Sequence, residues 1–351
     1  MDNIKQYTTD AVDLLQRLIA TPSTSRDEKA AADIMEAELK RLGFAPHREA
    51  NNVWVEPLYY DASKPTLLLN AHIDTVRPVA SWTRDPYSPT IEDDTLYGLG
   101  SNDCGGGLVA LLQAFRILST RDNLYYNIMY LASAEEEVSG KDGISRAIPL
   151  LPHIDVAIVG EPTGMQPAVA EKGLMVLDIT SHGKSGHAAR GEGINALYAM
   201  LDDLVWIRDY RFKRISDFLG PTVMNATVIN AGTQHNVVPD ECRAIVDVRT
   251  NELYTNEEVY EFICSNIRSE CKVRSFRLHS SSIAMSHPLV QRLISMGKQP
   301  FGSPTLSDQA LMQWESLKLG PGESSRSHSA DEFIRISEIE DAITTYTKLI
   351  G

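Results

Sequence analysis

The sequence predicts an α/β fold: a mostly parallel sheet covered by helices on both faces, with an α+β domain inserted into it. Three short, continuous apolar runs, at residues 66–71, 127–132 and 156–159, are bounded by polar or turn residues. Such runs are typical of strands buried on both faces. Strands that alternate with helices form parallel βαβ units, and ligands bind such sheets at the carboxyl ends of the strands.

The predicted helices lie before and between these strands. One is expected to start at Ser25, because Glu28 three residues later completes the pattern of a capping box. Apolar residues then recur at helical spacing until Gly43, which supplies the stop. Two more helices are predicted near residues 105–118 and 144–151.

The pattern changes after about residue 173, where apolar and polar residues begin to alternate. Alternation places apolar side chains on one face of a strand, so it predicts a sheet with one face partly exposed. The segments concerned are strands near residues 175–180, 223–229 and 242–249, with helices near 195–206 and 256–267.

The end of the chain returns to the first pattern. Helix and strand signals resume at about residue 288 and end in a helix near residues 337–349. At 351 residues, the chain also exceeds what one hydrophobic core usually organises. We therefore predict a discontinuous first domain of residues 1–173 and 281–351, with an inserted domain of residues 174–280.

Composition and charge narrow the classes of function. The chain is 43% apolar and carries 47 acidic against 33 basic residues, a formal net charge of -14. This balance argues against a nucleic acid or an anionic membrane as partner, since both need a basic surface. Residues 1–6 open a polar segment without an apolar signal core, and no stretch approaches the roughly 18 apolar residues of a membrane span. We expect a cytoplasmic protein.

The four cysteines, Cys104, Cys242, Cys264 and Cys271, are scattered without a C-x-x-C pair. This distribution suits a reducing compartment and excludes a disulfide framework or a thiolate zinc site. We expect the last three to be buried thiols.

Residues that commonly bind metal ions follow the predicted buried strands. The first strand leads into His72 and Asp74, the second into the triple glutamate 135–137, and the third into Glu161. These strand ends meet at one edge of the sheet. Asp74 lies on the same side of an extended chain as His72, which would let its carboxylate accept the other imidazole N–H.

Two further segments add residues of the same kind. A glycine-bearing turn over residues 97–103 delivers Asp103 just before a helix, and residues 320–322, Gly-Pro-Gly, precede His328. Imidazoles and carboxylates are ligands of zinc and also suit cobalt or manganese. Carboxylates that follow directly on a buried strand lie near low dielectric and need cations. The sequence therefore predicts a metal site.

Seven motifs occur in one order along the chain, and together they resemble the M20 family of metallopeptidases and deacylases, in the branch of acetylornithine deacetylase and succinyl-diaminopimelate desuccinylase. The resemblance covers nearly the whole chain. Its carriers are His72-Ile-Asp-Thr75, Gly98-x-Gly100-x-x-Asp103, Ala134-Glu-Glu-Glu-Val138, Gly160-Glu-Pro-Thr163, Ser185-Gly-His187, Asn236-Val-Val-Pro239 and Ser327-His-Ser-Ala-Asp-Glu332.

The resemblance implies a pair of metal ions, two Zn²⁺ per subunit with Co²⁺ or Mn²⁺ as substitutes. Asp103 would bridge them, His72 and Glu161 would complete one site, and Glu137 and His328 the other.

The resemblance also implies a general base in the triple glutamate. The family carries a carboxylate pair before a variable stretch with Lys-Asp-Gly, here residues 141–143. This register favours Glu136 as the base and Glu137 as the ligand, with Glu135 as the alternative base. Asp74 is expected to orient His72.

For the inserted domain, the resemblance implies a lid that also pairs two subunits. His187 would serve the active site of the partner subunit, while Asn236 and Arg249 would help to hold the substrate. For Arg249 a surface ion pair is an equally good interpretation.

The expected substrate is a small N-acyl amino acid. The Gly-Pro-Gly segment before His328 and the chain length favour an N-acyl-ornithine type in arginine biosynthesis. Acetyl and succinyl groups stay open, as do ornithine, citrulline and diaminopimelate. Dipeptidase or aminopeptidase action is the alternative, since the same metal pair hydrolyses peptides.

Three other classes of function fit these residues less well. Residues 98–103 begin like a dinucleotide-binding loop but place Asp103 where the third glycine belongs, and its charge would repel a pyrophosphate. A thiol hydrolase that uses Cys104 would not explain the cluster of carboxylates at the ends of the predicted strands. A non-catalytic binding module would be indicated by loss of the base or of a ligand, and all are present.

Overall fold

The computed structural model describes residues 4–351. Residues 1–3, part of the polar segment predicted to lack a signal core, lie outside the described part. The α-helices of residues 4–351 are α1 (Ile4–Ile19), α2 (Lys29–Arg41), α3 (Gly106–Leu118), α4 (Ile144–Ala147), α5 (Ala196–Asp209), α6 (Asn256–Asn266), α7 (Pro288–Ser295) and α8 (Ile336–Ile350). None of these helices combines the length and apolarity needed to cross a membrane.

The strands follow the same chain order. They are β1 (His47–Glu49), β2 (Asn52–Val55), β3 (Thr66–His72), β4 (Thr90–Glu92), β5 (Thr95–Tyr97), β6 (Asn127–Ser133), β7 (Val156–Val159), β8 (Ala168–Glu171), β9 (Met175–His182), β10 (Ile215–Ser216), β11 (Gly220–Pro221), β12 (Val223–Ala231), β13 (Glu241–Arg249), β14 (Glu270–Val273), β15 (Ser281–Ser282), β16 (Phe301–Ser303), β17 (Glu315–Lys318) and β18 (Phe333–Arg335).

The chain forms two compact units. The first comprises the residues up to Val169 with Ser282–Phe301 and Ser307–Gly351, and the second comprises Ala170–Ser281 with Gly302–Leu306. The sequence-based boundaries assigned residues 170–173, Ser281 and Gly302–Leu306 to the first domain, whereas all three segments belong to the second unit.

A mostly parallel sheet forms the centre of the first unit, as predicted. Its strands run in the order β1, β2, β6, β3, β7, β17, and the pairs β6/β3, β3/β7 and β7/β17 are parallel. All residues of β3, β6 and β7 are buried, which confirms the interpretation of the three apolar runs. Because His72 pairs with Ser133 and Asn70 with Val159, the carboxyl ends of these strands lie level with one another.

Helix α2 begins without the predicted capping box. The helix itself is present and ends where Gly43 adopts a φ of +88°, but its N-cap residue is Glu28, which makes no side-chain cap hydrogen bond. The Ser25 hydroxyl instead donates to Asp74 Oδ2 at 2.7 Å. A carboxylate is a stronger acceptor than a neutral partner, so this contact replaces the cap.

Helix α3 approaches the end of β7 so closely that Gly107 has no room for a side chain. A Cβ built there would lie 1.8 Å from the carbonyl oxygen of Gly160. We expect Gly107→Ala to lower the free energy of unfolding by roughly 3 kcal/mol or more, at or above the upper end of the usual cost of overpacking, because the helix and the strand would have to separate. Urea denaturation of both forms measures the change.

The matched control is Gly43→Ala. A Cβ on Gly43 meets no atom within 4 Å, so this variant should lose only the roughly 1–2 kcal/mol that a left-handed backbone costs an alanine. Equal or smaller destabilisation by Gly107→Ala would contradict the close approach of α3 and β7.

The second unit is an α+β module, as expected. Its sheet is antiparallel in the order β12, β13, β9, β14. Burial alternates along β9 and β13, which confirms the alternating pattern. Buried residues of α5 and α6, such as Met200 and Ile263, pack with the inner face of the sheet in one hydrophobic core.

Candidate metal centre

The proposed ligands emerge from loops at one edge of the central sheet. His72 ends β3, Glu136 and Glu137 lie in the short turn that follows β6, and Glu161 follows β7. Asp103 lies in the turn that leads into α3, and the peptide bond between Asp103 and Cys104 is cis. The level strand ends therefore place side chains from four separate segments around one space.

His72 faces two of these carboxylates. Its Nε2 atom lies 3.4 Å from Asp103 Oδ1 and 3.7 Å from Glu161 Oε1. The imidazole is 1% exposed, and its Nδ1–H donates to the backbone carbonyl of Asp74 at 2.8 Å. Since this bond fixes a proton on Nδ1, Nε2 is the ring nitrogen that faces the carboxylates and is left to bind a cation.

His328 approaches Asp103 from the opposite side. Its Nε2 atom lies 2.9 Å from Glu137 Oε2 and 3.5 Å from Asp103 Oδ2. The two oxygens of Asp103 therefore face different histidines, one from each end of the chain. The structure brings together all five residues that the sequence singled out as ligands.

The chemistry of this cluster fits divalent cations. Glu161 Oε1 is a buried atom without a hydrogen-bond partner among the described residues. Burial, with Asp103 beside it, raises the pKa of Glu161 to about 8. A carboxylate in low dielectric needs a nearby positive charge to stay ionised. His72, Asp103 and Glu137 hold ligand atoms within 4.8 Å of one another, and these nitrogen and oxygen donors suit zinc, cobalt or manganese.

The carboxylate of Asp74 has a different contact from the one predicted. It accepts the backbone N–H groups of Glu136 at 3.0 Å and Glu137 at 3.2 Å, while its nearest oxygen is 3.6 Å from His72 Nδ1. The backbone carbonyl of Asp74 accepts the hydrogen bond from the imidazole N–H instead. Asp74 thus fixes His72 through its main chain and the glutamate turn through its side chain.

The turn after β6 separates the side chains of the triple glutamate. Glu135 adopts a left-handed backbone with a φ of +53°, and its Oε2 atom accepts the N–H of Asp142 at 3.3 Å. A Cβ on Gly140 would lie 1.6 Å from the same atom, so Glu135 fills the inside of its own loop. The Glu136 carboxylate is near His72 and Glu161, and burial raises its pKa well above the ordinary value.

Cys104 is poorly placed to act as a nucleophile. It is 1% exposed, and its Sγ atom accepts the backbone N–H of His72 at 3.2 Å. Burial raises the pKa of this thiol, whereas nucleophilic cysteines have a lowered pKa. Cys242 is also buried, but Cys264 and Cys271 are only partly buried, which differs from the expectation for the last two.

Of the residues assigned to the inserted domain, His187 and Asn236 are exposed on the second unit and Arg249 is half-buried. His187 Nδ1 accepts the N–H of Ala189 at 3.2 Å, which leaves the proton of a neutral imidazole on Nε2. The backbone carbonyl of Asn236 accepts the N–H of Ala188. Arg249 forms a two-point ion pair with Asp247, at 2.8 and 3.1 Å, which is the alternative interpretation given for it above.

Metal binding should release protons at pH 7. The hydrogen bond with Glu137 raises the pKa of His328 to about 9, and the pKa of Glu161 is about 8, so both groups are largely protonated in the metal-free protein. Ligands must lose these protons. His72 must lose one as well, because despite its burial the neighbouring Cys104 and Asp103 raise its pKa well above the ordinary value. Roughly three protons should therefore be released per chain, and affinity should rise with pH.

Calorimetric titration with Zn²⁺ in two buffers of different ionisation enthalpy measures this release directly. The difference in heat between the buffers gives the number of protons. A value of zero, or proton uptake, would contradict the assignment of His328 and Glu161 as ligands.

Comparison with known proteins places this site in context. The chain matches Peptidase family M20/M25/M40 over residues 68–351. It is 27% identical to an acetylornithine deacetylase of Proteus mirabilis, over 94% of this chain and 93% of that protein. It is 28% identical to a succinyl-diaminopimelate desuccinylase of a Wolbachia strain, over 75% and 71% of the two chains.

A solved structure shares the fold. A dinuclear metal binding peptidase of the M20 family from Bacillus subtilis superposes with a TM-score of 0.74 at 16% identity, over 99% of this chain and 98% of that one.

Proposed function

Because the chain belongs to peptidase family M20/M25/M40, we propose that it is a metal-dependent amidohydrolase that removes the acyl group from an N-acyl amino acid. The observation that carries this proposal is the convergence of His72 and His328 on opposite oxygens of the Asp103 carboxylate. A carboxylate between two imidazoles is suited to bridging two cations.

The metal ligands divide into two sets that share Asp103. His72 and Glu161 would complete the site of one cation, and Glu137 and His328 the site of the other. The donor types favour zinc, with cobalt or manganese as substitutes. When bound, such ions lower the pKa of water and polarise a carbonyl oxygen.

The remaining residues supply proton transfer and charge stabilisation. Glu136 accepts a proton from the attacking water and later gives it to the departing nitrogen, as a general base and then a general acid. His187, contributed by a partner subunit, donates its Nε2–H to the acyl oxygen as negative charge develops there, a contribution of roughly 3–4 kcal/mol. Asn236 and Arg249 help to hold the substrate, which for Arg249 requires that its ion pair with Asp247 open.

The role of His187 requires a homodimer, and the second unit offers a surface for one. Tyr198, Leu201 and Val205 follow one another at helical spacing on α5 and are 67%, 45% and 46% exposed. The neighbouring strand β12 is largely exposed along its length. A second copy of the chain would cover both, consistent with the use of exposed apolar patches as interfaces.

An N-acetyl- or N-succinyl-ornithine-type substrate is the preferred choice, in the cytoplasm and in arginine biosynthesis. The names of the relatives in the comparison support deacylation, since one removes acetyl and the other succinyl from an amino-acid nitrogen. Dipeptidase or aminopeptidase action is the second candidate, because the same arrangement of ligands and base would also act on a peptide bond.

The test is an assay of the purified, Zn²⁺-loaded protein against N-acetyl and N-succinyl derivatives of ornithine, citrulline and diaminopimelate beside a set of dipeptides. Each reaction is repeated after treatment with a chelator. Release of acetate or succinate that is lost with chelator and restored by Zn²⁺ supports the proposal. Hydrolysis of dipeptides alone favours the second candidate, and chelator-insensitive activity would remove both.

A further inference from the structure

The buried carboxylate of Glu332 binds the loop that carries Asp103. Its Oε1 atom accepts the backbone N–H groups of Asn102 at 2.8 Å and Asp103 at 2.9 Å, and its Oε2 atom accepts that of Gly100 at 3.1 Å. Glu332 is 2% exposed. One side chain thus satisfies three main-chain donors of a single turn.

This turn needs an external partner because it is not regular. Gly100 has a left-handed φ of +75°, and Asp103 has φ and ψ of -117° and 99°, outside the helical region. Buried N–H groups are costly when unpaired. Bonds to a carboxylate are stronger than bonds to a neutral acceptor, so Glu332 largely determines the path of the backbone at Asp103.

Strand pairing brings Glu332 to this position. Strand β18, which starts at Phe333, is antiparallel to β5, and Phe333 pairs with Tyr97. Glu332 immediately precedes β18, and Gly98 immediately follows β5, so the N–H of Gly98 donates to the carbonyl of Glu332 at 3.0 Å. The side chain of Glu332 then points along the turn towards Asp103.

The segment from His328 to Glu332 is held on its other side as well. The Asp331 carboxylate accepts the backbone N–H groups of Thr83 and Arg84, both at 3.0 Å. His328 and Asp331 have left-handed φ angles of +57° and +54°. The hydrogen bonds of Asp331 and Glu332 therefore fix a tight turn that carries His328 at one end and holds the Asp103 loop at the other.

We propose that Glu332 is a positioning residue for the metal centre: by binding the three N–H groups of the Asp103 loop, it sets the Asp103 carboxylate between His72 and His328. The inference rests on the function proposed above. Removal of a residue that holds a metal ligand in place, without binding the metal itself, typically weakens metal binding by about 10- to 100-fold.

The test compares Zn²⁺ affinity in Glu332→Gln with that of the unmodified protein, by competition with a chromophoric chelator. Glutamine has the same shape, but its amide nitrogen must face one of the three N–H groups. We expect affinity to fall by about 10- to 100-fold. Glu332→Asp keeps the charge but moves it away by the length of one methylene group, so it should also lower Zn²⁺ affinity. If the glutamine variant does not fold, the aspartate variant provides the test.

The matched control is Glu38→Gln. Glu38 is buried to a similar degree, at 1% exposed, but its carboxylate is bonded to Arg17 of α1 and Arg41 of α2. This variant should lower the unfolding temperature and leave Zn²⁺ affinity unchanged, which separates a general loss of stability from a loss of positioning. Unchanged affinity in a folded Glu332 variant would overturn the inference alone. Absence of Zn²⁺ binding by the unmodified protein would overturn the proposed function together with it.

Discussion

Replacing Glu136 with glutamine should lower kcat by about two to four orders of magnitude while both metal ions stay bound, because the variant keeps the shape of the side chain but loses the general base. Among the proposed functional residues, Glu136 is a half-buried carboxylate next to the ligands that is not itself counted as one. Burial raises its pKa well above the ordinary value, so it has a high affinity for a proton. Steady-state kinetics and metal analysis of the same preparation measure both quantities.

Glu135→Gln is the control for this experiment, since it makes the same change one residue earlier. Glu135 Oε2 contacts Asp142 N within its own loop, so its loss should disturb the turn and reduce activity much less. The opposite ranking, with Glu135→Gln the more damaged enzyme, would transfer the role of base to Glu135. Full activity of Glu136→Gln with metals bound would show that Glu136 is neither the general base nor the general acid.

Replacing Asp103 with alanine should remove both metal ions and reduce activity to background. Asp103 contributes one oxygen towards His72 and the other towards His328, so its loss affects both proposed sites at once. Metal affinity should fall by more than the roughly 10- to 100-fold expected for loss of a positioning residue such as Glu332. Metal content after dialysis and activity in excess Zn²⁺ measure the effect.

The matched control is Asp155→Ala, at the opposite end of the same strands. Asp155 Oδ2 accepts the N–H of Thr66 at the start of β3, so this variant should be less stable but should keep its metals and its activity when folded. If Asp103→Ala retained two metal ions with unchanged affinity, Asp103 would not be a bridging ligand.

Much of the fold was predictable because it depends on local properties of the chain. The three buried strands were predicted to within a residue of their observed ends, since a continuous apolar run has few alternatives in an α/β protein. The antiparallel sheet of the second unit was predicted from alternation. The prediction of a capping box at Ser25 was wrong because the Ser25 hydroxyl donates to a distant acceptor, Asp74 Oδ2. No local sequence pattern indicates this contact.

The types of ligand were also readable from the sequence, but their contacts were not. A histidine or carboxylate that directly follows a buried strand is identifiable by its position alone. That Asp74 would use its backbone carbonyl for His72 and its carboxylate for the turn of Glu136 depends on the path of two loops. The motif that ends at Glu332 was recognised, yet nothing local indicates that this side chain binds a loop 230 residues earlier.

The sequence by itself determined the class of fold, the family resemblance and the set of residues able to bind cations, because each follows from residue type and spacing. Only the tertiary structure decided which oxygen of Asp103 faces which histidine, which glutamate fills its own loop, and which carboxylate holds the Asp103 turn. These outcomes depend on strand register and on hydrogen bonds between distant segments, and such contacts exist only once the sheet has brought the ends of the chain together.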